Sequence, residues 1–347
     1  MNSCESKMSG LVAGRKPPQQ KLQDLLVSCK VKNDAFKRSQ SVVITESVPA
    51  LYVCQGEYAT VDTASSRLRY IGSSEATTCV LLFLSKNTRV SVAHYDSPGA
   101  LSALLEQVQS LKGDDGEPIH VSMIGGFEDD HLIEGRELAA AIVDRLGEFP
   151  HQTFTFDVCL VGDKNSRPSM RKKGNKEPIF REAVYSVTDH CVLPSAWKMC
   201  PAVVPELTFR SATVFRDTSE RPLYNIFSQE PGAEGEVFFQ PRSFPEFDER
   251  VLLVIASGHM SDDSVLENFS TSPFAESDNF VKTFRETCVF LLENPKGALG
   301  YFDGKKILRY SLDALSPAGV NAHEKVAPAA GFSDSGQETY TWRPVRD

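Results

Sequence analysis

The sequence contains no uninterrupted apolar run of membrane-spanning length, and its opening, MNSCESKMSGLVAGRKPPQQ, has no apolar core of the kind that a secretory signal requires. It also lacks an excess of positive charge, because 46 Asp and Glu residues outnumber 37 Lys and Arg residues. A chain with a formal net charge of -9 is not expected to bind nucleic acid or an anionic membrane surface. We therefore predict a cytoplasmic protein. The basic stretch MRKKGNK leaves a nuclear location open, although a solvated loop is the simpler interpretation of so short a cluster.

Cysteine is too sparse for a disulfide framework, since eight cysteines are scattered over 347 residues and no CxxC pair indicates a zinc site. We predict free thiols and no metal or other cofactor. What the sequence does have is the composition of a folded protein, with 41% hydrophobic and 24% charged residues.

The pattern of apolar residues changes twice along the chain. Residues 1–40 are polar and Lys-rich, with helical spacing only in KLQDLLVSCKV, and are predicted to form an extension that ends in a short helix. Residues 41–310 mix strand-like runs with helices and are predicted to form a single elaborated domain. Residues 311–347 are rich in small and polar residues, which predicts a loosely ordered tail. We expect the chain to be a monomer.

Several segments within the predicted domain have a clear period. Helical spacing occurs in GALSALLEQVQSLKG, LIEGRELAAAIVDRL and NFVKTFRETCVFLLE, the last with Ser277 as a candidate N-cap and Cys288 on the apolar stripe. Strands are predicted in IHVSMIGGF and HQTFTFDVCLVG. Gly125 and Gly126 in the first of these strands would allow a close approach of another backbone, although a plain turn would need the same residues.

Two strand-like runs, CVLLFL and RVSVAH, flank the polar segment SKNT and predict an antiparallel hairpin. If Leu84 lies opposite Arg89, then Cys79 lies opposite His94, and opposed side chains share a face of the sheet. An imidazole beside a thiol can take its proton, so this pair would supply an activated nucleophile without a metal. A slip of one residue would separate the two side chains, and a chance Cys–His pair in a core is the alternative.

The segment GSSEATT precedes Cys79 and is rich in small hydroxyl residues, among them Ser73 and Thr78. This composition allows backbone N–H groups to turn toward a developing oxyanion. Capping of a turn is the alternative for these hydroxyls.

Four strings in the sequence, SSEATTCVLLFL, VAHYDSP, VSMIGGFEDD and LENFSTSPFAESDNF, resemble the motifs of the protein N-terminal asparagine amidohydrolases. The resemblance runs in order from LVAGR at residue 11 to the helix that ends near residue 294, and it is weak between residues 160 and 250. It implies hydrolysis of the side-chain amide of N-terminal Asn to Asp, with release of ammonia, as a step of N-degron protein turnover. It also implies protein or peptide substrates with a free N-terminal Asn, Cys79 as the nucleophile and a thioester intermediate.

A more distant resemblance is to bacterial chemoreceptor glutamine deamidases and cytotoxic necrotizing factor toxins. Their Cys–His pair lies in a layered β-sandwich with helices, which implies an α+β fold here, a layered β-sandwich of mostly antiparallel strands flanked by helices. In the chemoreceptor deamidases a hydroxyl residue lies six positions before the cysteine. The corresponding position in this chain is Ser73, which the resemblance implies as a third catalytic residue.

Selectivity for a chain terminus requires a group that binds the α-ammonium of the substrate, and a carboxylate would do so through charge-assisted hydrogen bonds. The candidates are Glu57, in a segment where the family also carries Glu, and Asp96, which closely follows His94. A solvated surface acid is the alternative for each. Hydroxyl groups are further candidates for substrate binding, with capping as their alternative role: Thr78, Ser270 and Thr271.

Two other functions fit the same residues. A related thiol amidase that acts on glutamine or on a small amide would use the same Cys–His pair, since one methylene group changes binding by only about 1 to 3 kcal/mol. A module that binds N-termini without turnover belongs to a different class of protein. The presence of both Cys79 and His94 argues against that module.

Overall fold

The structure, a computed structural model, describes residues 16–111, 113, 116–130, 132–170, 172–199, 203–212, 223–227, 235–242, 248–297, 301–302, 307–315 and 339–345. Its α-helices are α1 (Pro18–Ser28), α2 (Lys30–Arg38), α3 (Ala103–Ser110), α4 (Glu134–Leu146), α5 (Leu207–Ala212), α6 (Glu249–Ala256), α7 (Asp262–Phe269) and α8 (Phe280–Glu293). Its β-strands are β1 (Val42–Ile44), β2 (Ala50–Tyr52), β3 (Glu57–Asp62), β4 (Tyr70–Ser73), β5 (Val80–Lys86), β6 (Arg89–Tyr95), β7 (Ile119–Phe127), β8 (Phe154–Gly162), β9 (Ser166–Pro168), β10 (Lys176–Pro178), β11 (Ala183–Ser186), β12 (Cys191–Trp197), β13 (Tyr224–Asn225), β14 (Glu236–Phe239), β15 (Leu308–Leu315) and β16 (Thr339–Pro344).

The centre of the fold is a six-stranded sheet in the order β13-β3-β6-β5-β7-β8. Its inner strands pair in antiparallel fashion, whereas β13 with β3 and β7 with β8 are parallel. Leu82 and Leu84 of β5 pack in one buried cluster with residues of α1, α3 and α4, while Leu81 and Phe83 pack in another cluster on the opposite face. A strand that is covered on both faces reads as a continuous apolar run, which explains why VLLFL does not alternate with polar residues.

The second layer is a five-stranded sheet in the order β1-β12-β11-β4-β2. Ile71 of β4 and Tyr185 of β11 share a buried cluster with Leu81 and Phe83 of the central sheet, so the two sheets pack face to face. The layers are therefore helices, the central sheet and the second sheet, in that order. This arrangement confirms the predicted α+β fold, a layered sandwich flanked by helices.

The predicted N-terminal helix is confirmed as part of the helical layer. Leu22, Leu25 and Leu26 of α1 are at most 3% exposed and join the cluster above the central sheet, together with Cys29. The chain then continues as a second helix, α2, directly after Cys29.

The other three predicted helices are also confirmed, as α3, α4 and α8. The predicted N-cap at Ser277 is wrong, because α8 begins at Phe280 after Asn279. Ser277 instead lines a cavity together with Glu75, and its hydroxyl lowers the pKa of the Glu75 carboxyl. Within the described residues, no helix is both long enough and apolar enough to cross a membrane.

The predicted C-terminal tail differs from the structure in its described parts. Its boundary at residue 310 falls inside β15, which pairs with β14 and β16 in a three-stranded sheet. Trp342 of β16 is 6% exposed and donates a hydrogen bond from Nε1 to the Ala50 carbonyl at 3.3 Å. Tyr340 and Trp342 alternate with polar residues, which is typical of a strand. The prediction used the overall composition of residues 311–347 and missed this alternation. Residues 316–338 of the predicted tail lie outside the described residues.

Candidate active site

The predicted hairpin forms from β5 and β6, but its register differs from the predicted one. Leu81 lies opposite His94 and Leu84 opposite Ser91, so the predicted pairing of Leu84 with Arg89 is wrong by two residues. The strands extend past the expected loop and close with a two-residue turn, in which Asn87 has a φ of 53°. Asn adopts this left-handed conformation more readily than most residues, and it therefore permits the tighter turn.

The shift of register leaves Cys79 and His94 on the same face. Side chains alternate along a strand, so a shift of two residues returns each side chain to its original face. Cys79 precedes the first residue of β5 and lies two positions before Leu81, the residue opposite His94. Cys79 is 6% exposed and belongs to the same buried cluster between the sheets as Leu81. The thiol and the imidazole therefore face the same interior space as diagonal neighbours.

Two glycines of β7 hold the backbone of Cys79. The Gly126 N–H donates a hydrogen bond to the Cys79 carbonyl at 2.6 Å. Gly125 has a φ of 118°, and a Cβ atom at this position would lie 2.4 Å from the same carbonyl oxygen. A side chain would therefore meet both a strained conformation and a steric clash. The expected close approach of a backbone to these glycines is confirmed.

Ser73 holds His94 in one tautomer. Ser73 ends β4, is fully buried, and places its Oγ 2.5 Å from the Val53 carbonyl oxygen and 2.8 Å from His94 Nδ1. A carbonyl oxygen only accepts, so the single hydroxyl hydrogen of Ser73 is donated to Val53. Ser73 Oγ must then accept from His94 Nδ1–H. The lone pair of the neutral imidazole is therefore on Nε2.

Burial keeps the His94 imidazole neutral. The side chain is 2% exposed, and desolvation lowers its pKa to about 4, against the smaller opposing effects of the Asp96 and Glu57 charges. Among the described residues, none forms a hydrogen bond with His94 Nε2. A neutral imidazole with an available lone pair acts as a general base for a nearby thiol.

His94 also lines a cavity of about 410 Å³ that reaches α8. Cavities of roughly 300 to 1,000 Å³ are typical of sites for small ligands. Its wall combines aromatic side chains with polar groups, among them Tyr52, Gln55, Glu75, Trp197, Ser277 and Phe280. The structure therefore places His94 beside a space large enough for a small ligand.

Glu57, predicted to bind the substrate amine, lies in a fully buried ion cluster. Its carboxylate oxygens accept hydrogen bonds from Arg210 Nη2 and Arg242 Nη1, each at 2.7 Å, and from the Cys54 N–H at 3.0 Å. Burial alone would raise the pKa of Glu57, but the two guanidinium groups outweigh it and lower the pKa to about 2. A substrate ammonium would have to compete with both arginines, and the predicted role of Glu57 stays a prediction.

The ion cluster instead supports the turn between β2 and β3. Arg210 Nη2 also donates to the Tyr52 carbonyl at 2.7 Å, and Glu57 holds the Cys54 N–H. Between these two residues lies Val53, whose carbonyl accepts the Ser73 hydroxyl. The cluster thus fixes the backbone that orients Ser73 and, through it, His94.

Asp96, the second candidate for the amine, lies at the end of β6 and is half-buried. Its carboxylate accepts hydrogen bonds from Gln55 Nε2 at 3.2 Å and from Ser97 Oγ at 3.1 Å. Gln55 lines the cavity, so Asp96 orients one group of the cavity wall. A direct contact of Asp96 with substrate stays a prediction.

The predicted hydroxyl groups meet around the connection between α7 and α8. Thr78 Oγ1 lies 3.3 Å from Thr271 Oγ1, which joins this connection to the residue before Cys79. Ser270 donates a hydrogen bond to Glu276 Oε1. These contacts organise the protein itself, and a role of the three hydroxyls in substrate binding stays a prediction.

Glu75 and Trp197 are cavity residues that the predicted set of site residues does not contain. Glu75 had a visible signal, because it is the single acid in GSSEATT and lies four residues before Cys79. Trp197 comes from β12, more than a hundred residues further along the chain, and no local pattern connects it to the site.

The other described cysteines are less suited to nucleophilic chemistry. Desolvation raises the pKa of Cys29 and Cys288 to about 11 and that of Cys54 to about 12. Cys288 is 2% exposed on the apolar face of α8, which confirms its predicted place in the core.

The comparison with protein families decides the affiliation of the chain. The family model described as protein N-terminal asparagine amidohydrolase matches residues 39–317. The chain belongs to this family. The match includes both strands of the hairpin, the 74–79 loop and all of α8.

Individual members of the amidohydrolase family are similar over most of their length. A Homo sapiens protein N-terminal asparagine amidohydrolase is 26% identical over 282 residues, which are 79% of this chain and 84% of that protein. The Arabidopsis thaliana protein of the same name is 25% identical over 292 residues, 79% of this chain and 81% of its own. The Sus scrofa protein is 27% identical over 282 residues, with coverage of 79% and 84%.

Proposed function

We propose that this chain hydrolyses the side-chain amide of N-terminal asparagine in proteins and peptides, which converts the residue to N-terminal aspartate and releases ammonia. The family affiliation and the names of the relatives support this activity. The observation that carries the mechanism is the hydrogen bond from His94 Nδ1 to Ser73, because it leaves the lone pair of the neutral imidazole on Nε2.

In the first half of the reaction, Cys79 Sγ attacks the amide carbon while its proton passes to His94 Nε2. The resulting tetrahedral intermediate carries its negative charge on the former carbonyl oxygen. His94 then returns the proton to the amide nitrogen, the C–N bond breaks, and ammonia leaves. The acyl group remains on Cys79 as a thioester.

In the second half, water attacks the thioester carbon while His94 Nε2 accepts a proton from the water. The C–S bond breaks, and the Cys79 sulfur regains the proton from His94. The peptide then leaves the enzyme with an N-terminal Asp. The low pKa of His94 makes its imidazolium form a strong acid, which favours return of the proton to the leaving nitrogen and to the Cys79 sulfur.

Backbone N–H groups of the 74–79 loop are proposed to stabilise the oxyanion. Such donors work only when they are preorganised. The Gly126 N–H bond to the Cys79 carbonyl and the Phe127 N–H bond to the Thr77 carbonyl, at 2.6 and 3.0 Å, restrain this loop from the side of β7.

The product of the reaction carries an N-terminal Asp, and we propose that the reaction serves N-degron protein turnover in the cytoplasm. This part of the proposal depends on the resemblance to the family.

Mass spectrometry of an Asn-initiated peptide incubated with the protein tests the activity directly. We expect conversion of the first residue from amide to acid, release of ammonia, and no conversion by the Cys79→Ala variant. A matched Gln-initiated peptide is the control for the length of the side chain. Equal conversion of both peptides would favour a general thiol amidase, and binding without any conversion would favour a module that only recognises N-termini.

A further inference from the structure

The cavity beside His94 contains two carboxylates among the described residues that line it, Glu75 and Glu286. Glu286 lies on the exposed side of α8, and its Oε1 is 3.9 Å from Lys282 Nζ. Glu75 lies in the 74–79 loop and lines the cavity together with Ser277, whose neutral hydroxyl lowers the pKa of the Glu75 carboxyl. The carboxylate of Glu75 is therefore the better placed of the two to meet a cationic ligand.

We propose that Glu75 binds the α-ammonium group of the substrate's first residue, with the Ser277 hydroxyl orienting the carboxylate. This assignment rests on the proposed function, in which the amine and the side-chain amide of one residue are recognised together. It adds a specificity-determining residue to the proposed catalytic residues Cys79, His94 and Ser73.

The covalent structure of asparagine requires the amine to bind close to the nucleophile. Three bonds separate the side-chain amide carbon from the α-nitrogen, which places the two atoms about 2.5 to 4 Å apart. The group that binds the amine must therefore lie in the same cavity as His94 and close to Cys79. Glu75 meets both conditions, since it lines that cavity and precedes Cys79 by four residues in one loop.

The loop holds Glu75 in a defined position relative to Cys79. The Ala76 N–H donates to the Arg181 carbonyl at 3.0 Å, and the Thr77 N–H donates to the Glu75 carbonyl at 3.1 Å. Glu75 itself has a φ of 61°, a left-handed conformation that glycine adopts without strain and that glutamate rarely adopts. Glu75 therefore occupies a position whose backbone conformation favours glycine.

Glu75 interacts electrostatically with two other carboxyl groups and with one guanidinium group. The Glu75 charge raises the pKa of Glu182 and of Glu276, and the Arg181 charge lowers the pKa of all three carboxyl groups. Desolvation raises the pKa of the Glu75 carboxyl, and its contacts with Ser277 and Arg181 offset this only in part. An ammonium group in the cavity would stabilise the ionised form of this carboxylate.

The neighbouring acids are already held by the protein. Glu182 accepts the Trp197 N–H at 2.8 Å, and Glu276 accepts the Ser272 hydroxyl at 3.2 Å. Because both side chains are already engaged, and because desolvation raises the pKa of Glu182 to about 7, neither is expected to bind the amine directly.

A separate observation identifies the cavity as a place for a ligand. His94 Nε2 is a buried polar atom without a hydrogen bond among the described residues, and its side chain is 2% exposed and lines the same cavity. Buried polar atoms normally have partners. A peptide terminus bound between Glu75 and His94 would use both groups.

Steady-state kinetics with two peptides test this assignment. We compare an Asn-initiated peptide that has a free amine with the same peptide acetylated at its N-terminus. Glu75→Gln should lower kcat/KM for the free-amine peptide by about 10- to 100-fold, as expected for the loss of a charge-assisted hydrogen bond, with little change for the acetylated one. Glu286→Gln removes the same charge from the same cavity and should keep the preference for the free amine. If Glu75→Gln prefers the free-amine peptide over the acetylated peptide as strongly as the wild type does, the assignment is wrong.

Binding provides a readout that does not require turnover. Calorimetric titration of Cys79→Ala should show tighter binding of the free-amine peptide than of the acetylated peptide, and Cys79→Ala with Glu75→Gln should lose that difference. An unchanged difference in the double variant contradicts the role of Glu75 even if the enzyme is active. Absence of turnover by the wild type with either peptide contradicts the proposed function instead, and the titration then still decides the role of Glu75.

Discussion

At the scale of single residues, the site depends on how Ser73 and burial control the imidazole of His94. Ser73 donates its only hydroxyl hydrogen to Val53 and therefore has to accept from His94 Nδ1. Burial lowers the pKa of His94 to about 4. The result is a neutral imidazole with a defined tautomer. This protonation state differs from the thiolate–imidazolium pair that many thiol enzymes form before substrate binds.

The pH dependence of the reaction follows from the low pKa of His94. Activity requires neutral His94, and a lowered pKa extends the neutral form toward acid, so kcat/KM should persist well below pH 6.5 and fall as the pH approaches about 4. A pH profile with circular dichroism at each point separates titration from unfolding. An acid limb centred near pH 6.5 on folded protein would show that His94 is not the buried neutral base described here.

Ser73→Ala should lower kcat by about 10- to 100-fold with a smaller effect on KM, because His94 loses the acceptor that fixes its tautomer. Ser91→Ala is a matched control on β6, since its buried hydroxyl bonds with Thr60 and Gln107 rather than with His94. Ser73→Thr retains a hydroxyl and should restore part of the rate. Equal activity of Ser73→Ala and Ser91→Ala would remove Ser73 from the site.

At the scale of elements, the site lies where the chain crosses between the two sheets. β4 belongs to the second sheet and ends at Ser73, β5 belongs to the central sheet and begins at Val80, and the 74–79 loop connects them. β7 holds the end of this loop through Gly125 and Gly126. Cys79, the proposed nucleophile, is therefore positioned by three strands of two different layers.

Gly125→Ala should destabilise the protein and reduce activity, because the new Cβ atom would meet the Cys79 carbonyl and the left-handed φ disfavours a side chain. Gly174 has a φ of 92° with open space around it, so Gly174→Ala carries the conformational strain alone, about 1 kcal/mol. Urea unfolding of both variants measures the difference. A loss at Gly125 no larger than at Gly174 would contradict the contact with Cys79.

The sequence predicted most of these elements because their periods are local. Helical spacing identified α1, α3, α4 and α8, and two strand-like runs on either side of the polar segment SKNT identified β5 and β6. The register of the hairpin was wrong because it depends on the conformation of Asn87, and alternation specifies a face but not a turn. The N-cap at Ser277 was wrong because α8 begins three residues later, and Ser277 lies in a cavity wall with Glu75, about two hundred residues away in the sequence. Cavity residues such as Trp197 reach the site through tertiary packing, which a local pattern does not record.

At the scale of the whole molecule, the ion cluster of Glu57, Arg210 and Arg242 connects distant segments. Arg210 lies on α5 and Glu57 on β3, and both are at most 1% exposed. The guanidinium of Arg210 also lies over the ring of Phe239, 4.9 Å from its centroid. The cluster therefore connects residues 210–242 to the turn between β2 and β3 that orients Ser73.

Arg210→Met should lower the free energy of unfolding by about 3 to 5 kcal/mol, as is typical when one partner of a buried ion pair is removed. Lys30→Met is the control, because the exposed pair of Lys30 with Asp34 contributes less than about 1 kcal/mol.

The pKa of Glu57 is lowered from 4.5 to about 2 in the folded state, so its stabilising effect is complete above pH 4.5 and is lost as the pH falls toward 2. Denaturant unfolding as a function of pH measures both effects, and similar losses for the two variants would contradict the role of the cluster.

Acid quenching during turnover of an Asn-initiated peptide, followed by mass spectrometry of the protease-digested protein, tests directly whether Cys79 forms a covalent intermediate. We expect the fragment containing Cys79 to carry the substrate acyl group, with the mass of the substrate minus ammonia, and we expect Cys79→Ala neither to form this adduct nor to release ammonia. Ammonia release at the wild-type rate by Cys79→Ala, with no acyl group on any cysteine of the wild type, would contradict this expectation.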